Sequence, residues 1–135
     1  LSLSFNLRPM IQVGTRCRAG DNSGAKTLLC LKVLGGSGRN RAGVGDRVVV
    51  SVKALRSGLS SRARVTKGSV HRALLLRTKK AHRRLDGTFL TFNQQACALL
   101  HPQGHLLGSR LFGPLPEELR RIKGIQLASL STALV

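Results

Sequence analysis

Apolar and polar positions alternate with a period of two over most of this chain, the pattern of strands that bury one face. Ile11, Val13, Thr15 and Cys17 alternate with Gln12, Gly14, Arg16 and Arg18, which predicts a first half-buried strand. Asp21-Asn22-Ser23-Gly24 then reverses the chain, since Asp and Asn accept turn amides and Gly tolerates left-handed backbone angles. A second strand is predicted over Ala25 to Leu34, with Thr27, Leu29, Leu31 and Val33 on one face and Lys26, Leu28, Cys30 and Lys32 on the other. Its charges lie at the ends and its apolar residues in the middle, which predicts burial on both sides. Arg47 to Leu55, Val70 to Arg77 and Ala96 to Leu100 supply three more strands.

The connections carry most of the candidate chemistry. Gly35 to Gly45 is glycine-rich and holds Arg39 and Arg41. A nucleotide-binding loop would need Gly-Lys-Ser or Gly-Lys-Thr opening a helix, whereas a β-branched strand follows here. A flexible loop presenting two arginines to a nucleic-acid backbone fits better. Arg56 to Lys67 is polar and predicted to be mobile, and its Arg56, Arg62, Arg64 and Lys67 are unbalanced by any acid. Asp86-Gly87 lies between the apolar run Leu74 to Leu76 and Thr88 to Phe92, and predicts a primed hairpin turn. Arg77, Lys79, Lys80, Arg83 and Arg84 would make that hairpin a cationic arm. Near the C-terminus, 116–123 is expected to be helical. Pro116 suits the first position, Glu117 and Glu118 the first turn, Arg120, Arg121 and Lys123 the last, and Gly124 the cap. Five or six short strands with turns about every ten residues predict a mainly β chain, a small closed or partly closed barrel.

Composition then narrows the function. The formal charge is +18, from 23 Lys and Arg against 5 Asp and Glu in 135 residues, so self-repulsion is large unless a polyanion neutralises it. Nucleic acid is the expected partner, and no apolar run approaches the ~20 residues that cross a bilayer, so no membrane partner is expected. Arg outnumbers Lys 16 to 7, favouring bidentate phosphate contacts, while Phe is the one aromatic type present. That scarcity of stacking platforms argues against the alternative, a free single-stranded RNA- or DNA-binding barrel. Cys17, Cys30 and Cys97 have neither a disulfide framework's pairing nor a zinc knuckle's spacing, and read as reduced thiols on strands. His101 and His105 have a ligand-like spacing, but Pro102 and Gly104 between them favour a turn, so no metal or other cofactor is expected. Adjacent Glu117 and Glu118 at a helix start suit the dipole rather than acid–base work, and the chain is not expected to be an enzyme.

Several ordered segments resemble one family. Ala73, Leu74 to Leu76, nine residues, Asp86-Gly87, four residues and Phe92 follow the pattern of the fourteenth large-subunit ribosomal protein. MIQ (Met10 to Gln12), DNSGA (Asp21 to Ala25), KVLGGS (Lys32 to Ser37), AGVGD (Ala42 to Asp46), RTKK (Arg77 to Lys80) and GSRLFGP (Gly108 to Pro114) are similar to bacterial-type members. The departures are Gln95 for Asn or Thr, Ala98 for Val, Ser109 for Thr, and a basic, Ser-rich segment near Arg56 to Arg64. The resemblance implies a five-stranded β-barrel with a protruding β-ribbon and a short C-terminal helical region, one domain over 10–135. It further implies a structural role in the large ribosomal subunit. Partners would be large-subunit rRNA, small-subunit rRNA across the interface, neighbouring large-subunit proteins, and a ribosome silencing factor at the GSRLFGP segment.

The rRNA-binding candidates are thus Arg39, Arg41, Arg56, Arg62, Arg64, Lys67, Arg77, Lys79, Lys80, Arg83 and Arg84. Candidates for the subunit interface and protein partners are Ser109, Arg110, Arg120 and Arg121, with Phe112 expected to bury against the barrel and Arg110 to project. Residues 1–9 precede the resemblance, carry Ser2, Ser4 and Arg8 without an acid, and read as the remnant of an organellar import segment. With bacterial-type motifs and Leu rather than Met at position 1, a mitochondrial ribosome is expected before a plastid or bacterial one.

Overall fold

The computed structural model describes residues 11–35, 41–56, 65–79, 82–84, 86–108, 110–117, 119 and 133–134. In chain order the strands are β1 (Ile11–Gln12), β2 (Arg16–Ala19), β3 (Ala25–Val33), β4 (Arg41–Ala42), β5 (Arg47–Leu55), β6 (Val70–Arg77), β7 (His82–Arg83), β8 (Phe89–Leu90), β9 (Ala96–Leu100), β10 (Pro114–Leu115) and β11 (Ala133–Leu134). Five of them close a barrel in the order β2-β3-β5-β6-β9. Neighbours are antiparallel except at the closing seam, where β2 runs parallel to β9 with Ala19 opposite Cys97. β1 pairs with β4, β10 with β11, and β7 with β8 as a two-stranded ribbon. The expected mainly β, five-stranded barrel is therefore the observed fold.

The first strand is not continuous. Val13 is 58% exposed although it shares a phase with buried Ile11 and Cys17, because the chain turns between Gln12 and Thr15. There the Gly14 amide donates to the Cys30 carbonyl (2.8 Å) and the alternation restarts. Burial of β3 on both faces is also corrected. Ala25, Leu28, Cys30 and Val33 face the core, whereas Leu31 is 40% exposed. The inward face moves by one residue twice, in the irregular pairing around Thr27 and again between Cys30 and Lys32, and a single face-wide alternation cannot follow that.

Two apolar cores explain the unbroken run Leu74-Leu75-Leu76. Ala73 and Leu75 of β6, with Cys97 and Leu99 of β9, point into the barrel beside Leu28, Val48, Val50 and Val52. Leu74 and Leu76, with Ala98 and Leu100, point outward and pack on Leu111, Leu115 and Leu119. β9 and the Ala73 to Leu76 stretch of β6 are buried on both faces, so their sequences lose the alternation of apolar and polar positions. All three cysteines lie buried on strands, with the sulfurs of Cys17 and Cys97 in contact at 3.0 Å.

Other sequence expectations shift in detail. Gly35 to Gly45 was expected to be a flexible loop throughout; of its described part, Arg41–Ala42 is β4 and Ala42 is fully buried. The next turn is tied to β6 by Gly45 N–H to Leu75 O (2.9 Å) and Leu75 N–H to Asp46 O (2.9 Å). Arg56 to Lys67 was expected to be a polar loop, yet Val65 enters the barrel core. Pro114–Leu115 is strand β10, directly before the expected helix, and Leu119 N–H reaches Pro116 O (3.2 Å) in a tight turn. Of the helix expected over 116–123, residues 118 and 120–123 lie outside the described residues.

Candidate nucleic-acid interface

The barrel wall itself is cationic. On β2, β3, β5 and β6 the exposed positions between core residues include Arg16, Arg18, Lys26, Arg47, Lys53 and Arg72. A strand that sends every second side chain inward sends these outward. None of them is among the sequence candidates, which lie in connections, at the end of β6 and on the ribbon, although the alternation of Arg16 and Arg18 around Cys17 carries the signal.

Among the predicted rRNA ligands, Arg41, Lys67 and Lys79 are exposed. Arg39, Arg62, Arg64 and Lys80 lie outside the described residues, as do Ser109, Arg120 and Arg121. Arg83 belongs to β7 and pairs with Phe89 of β8 across the ribbon. At the ribbon's end Asp86 accepts the Thr88 amide (3.0 Å) and hydroxyl (2.6 Å), which together hold its carboxyl below the ordinary carboxylate range. The reversal is wider than the predicted primed two-residue turn. Arg84 N–H donates to Thr88 O (2.8 Å) and Gly87 N–H to Arg84 O (3.1 Å), with Gly87 at φ +89° in the bulge position that only glycine occupies cheaply. Phe89 on this ribbon is 55% exposed.

Arg77 has a structural placement. Its Nη1 donates to the carbonyls of Phe112 (2.6 Å) and Pro114 (3.0 Å), and burial lowers its pKa from the ordinary arginine value. It therefore fastens residues 112–114 to β6. Arg56 is half-buried with its guanidinium 5.0 Å from the centre of the Phe112 ring, a cation–π arrangement.

The same segment is held from its other side by the Asp21 turn. Asp21 is fully buried, and its carboxylate accepts the Ser23 hydroxyl (2.8 Å) and the Leu99 amide of β9 (3.1 Å). Desolvation raises its pKa against those hydrogen bonds. Asn22 accepts the Arg110 amide (3.1 Å), and Phe112 N–H donates to Gly20 O (2.8 Å). The turn is thus a clamp between β9 and residues 110–112, a role its sequence did not disclose. Leu111, not Phe112, enters the core: Leu111 is 1% exposed and Phe112 38%. Two consecutive residues of an extended segment cannot both face inward, and Leu111 takes the outer core beside Leu74 and Leu76. Arg110 is exposed, as expected.

His101 and His105 stack with ring centroids 4.5 Å apart in a turn closed by His101 N–H to His105 O (2.7 Å). Among the described residues no three His, Cys, Asp or Glu side chains are grouped as a metal site would require.

A closed barrel with a cationic outer wall and a basic ribbon defines a scaffold for binding nucleic acid. The chain matches the ribosomal protein L14p/L23e family over residues 10–135, and it belongs to that family. It is accordingly a non-enzymatic, structural protein of the large ribosomal subunit that binds rRNA and neighbouring ribosomal proteins.

Proposed function

We propose that, within the large subunit, this protein contributes to the face that meets the small subunit, with its 108–114 segment as the docking element. The observation that carries this is the clamp on that segment. Asn22, Gly20 and Arg77 fix its backbone and Leu111 anchors it, while Arg110 and Phe112 stay accessible. A segment ordered before binding loses little entropy when a partner docks, and small-subunit rRNA or a ribosome silencing factor would meet a preformed surface. Ser109, Arg120 and Arg121 are proposed to flank it. Large-subunit rRNA is assigned to the cations elsewhere: Arg39, Arg41, Arg62, Arg64, Lys67, and the ribbon with Lys79, Lys80, Arg83 and Arg84. Arg56 and Arg77, candidates for rRNA by sequence, are proposed to act instead by holding the docking segment.

The test is Arg110→Glu, followed through incorporation into large subunits and through joining of those subunits to small ones. Incorporation should be unchanged, because one charge removed from a +18 chain alters RNA attraction little. Subunit joining or silencing-factor binding should fall, by the few kcal/mol that a reversed charge costs against a complementary surface. Failed incorporation with normal joining would place Arg110 on large-subunit rRNA instead. The compartment proposed is the mitochondrion, supported by acid-free residues 1–9 with Ser2, Ser4 and Arg8. Co-purification with plastid ribosomes would refute it.

A further inference from the structure

Beside the closing seam, β2 and the turn before β9 form a cleft of about 520 Å³ lined by Thr15, Arg16, Cys17, Arg18, Thr27, Lys79 and Asn93 to Gln95. We infer that this cleft holds an unpaired stretch of RNA, with successive phosphates on Arg16 and Arg18 and a nucleotide edge against the side-chain amides of Asn93, Gln94 and Gln95. The inference rests on rRNA binding as the function and adds the place and the form of the RNA.

Charge selects an anion. Among the described residues, three cations line the cleft and no carboxylate does. Spacing selects a chain of phosphates over a single one. Arg16 and Arg18 lie two residues apart on one strand face, about 6.6 Å along it, comparable to the step between neighbouring phosphates of an extended strand. Lys79 adds a third cation from beyond β6.

Size and chemistry select an unpaired strand. The volume falls within the ordinary range for small-ligand sites and has room for nucleotides. Asn and Gln amides each donate and accept, so a row of three can meet the base edges or 2′-hydroxyls that an unpaired strand exposes and a duplex hides. Among the described residues no aromatic side chain lines the cleft, and the guanidinium planes of Arg16 and Arg18 offer the stacking surfaces. The walls are already joined, by Arg18 N–H to Gln95 O (3.2 Å), so binding does not have to assemble them.

The experiment uses the full chain and a labelled RNA single strand of about 12 nucleotides, with its duplex as comparison. Arg16→Gln/Arg18→Gln should weaken single-strand binding on the order of tenfold at about 100 mM salt, and flatten the log–log salt slope by about 1.4, roughly 0.7 per lost phosphate contact. Duplex binding should change less. Lys26→Gln/Lys53→Gln removes the same charge from the other strands and should leave most of the single-strand slope in place. Gln94→Ala should shift the preference among homopolymers without altering the slope. Thermal melts establish that each variant folds, and ultraviolet cross-linking of the wild-type complex should mark the peptide containing residues 15–18. An unchanged slope in the Arg16/Arg18 variant overturns the inference while leaving rRNA binding intact, and would hand the cleft to an acidic protein segment. Equal losses in the Lys26/Lys53 control overturn it in favour of a diffuse field. If the wild-type chain binds neither RNA, the inference falls together with the functional reading.

Discussion

At the scale of single residues, burial and partners decide what a substitution does, and neighbours in sequence can differ sharply. Leu111 fills the outer core, so Leu111→Ala should cost about 2–5 kcal/mol of stability. Phe112→Ala loses a partly exposed ring and the Arg56 contact, about 1–2 kcal/mol. Chemical denaturation of the two variants checks this order, and a reversed order would mean that Phe112 is the anchor. Asp21→Asn should cost about 1–3 kcal/mol, because an amide has one acceptor oxygen where the carboxylate offers two to Ser23 and Leu99. The pH dependence has a definite sign. With its pKa raised in the fold, Asp21 keeps a proton that the unfolded chain has already lost, so its contribution is full below the unfolded pKa and is lost as pH rises through the folded one. The stability gap between wild type and Asp21→Asn should therefore narrow as pH rises from about 4. A gap that widens would show that the hydrogen bonds outweigh desolvation. The sequence marked Asp21 as a turn former. Its bond to an amide 78 residues away could not be read there, because local pattern carries no information about which distant donor lacks a partner.

At the scale of elements, periodicity revealed where the barrel strands lie but not their order around the barrel, and the ribbon was legible from its turn and charges. What it misplaced has physical causes: the break at Val13, the phase shifts of β3, and the double-sided burial of β6 and β9. The largest gap concerns Arg77. A cation beside Lys79 and Lys80 reads as part of a basic arm, and only the return of the chain 35 residues later reveals the carbonyls that take it. Gly113 records the same contact from the other side, since its φ is +77° and an added Cβ would lie 2.7 Å from Arg77 Nη1. Gly113→Ala should destabilise the protein by more than 1 kcal/mol, the cost of the left-handed backbone alone. It should also raise proteolysis near 110–115 before global unfolding. Arg77→Ala should reproduce the local cleavage without the backbone strain. Protection identical to wild type in both variants would mean that the segment is held without Arg77.

At the scale of the whole molecule, charge dominates. A +18 chain whose described cations sit largely on the outer wall should bind rRNA fragments mainly by releasing counterions. With ~6–10 phosphates engaged, affinity should fall on the order of a thousandfold or more between about 50 and 200 mM salt, measurable by filter binding, and a flat salt profile would contradict it. The barrel's topology has a separate consequence, for the order of events during synthesis. β3, β5 and β6 are sequential antiparallel neighbours, whereas the seam joins Arg18 to Ala96, the longest-range pairing in the barrel and its one parallel one. Emerging from N- to C-terminus, the chain can complete the β3-β5-β6 meander while β2 still lacks its second neighbour, and it closes only after β9 has left the exit tunnel. Until then the edges of β2 and β6 stand unpaired on a strongly charged nascent chain, whose self-repulsion works against aggregation through those edges. Closure is thus the late step of folding, and a seam substitution such as Ala19→Gly should accelerate unfolding while leaving the refolding rate nearly unchanged.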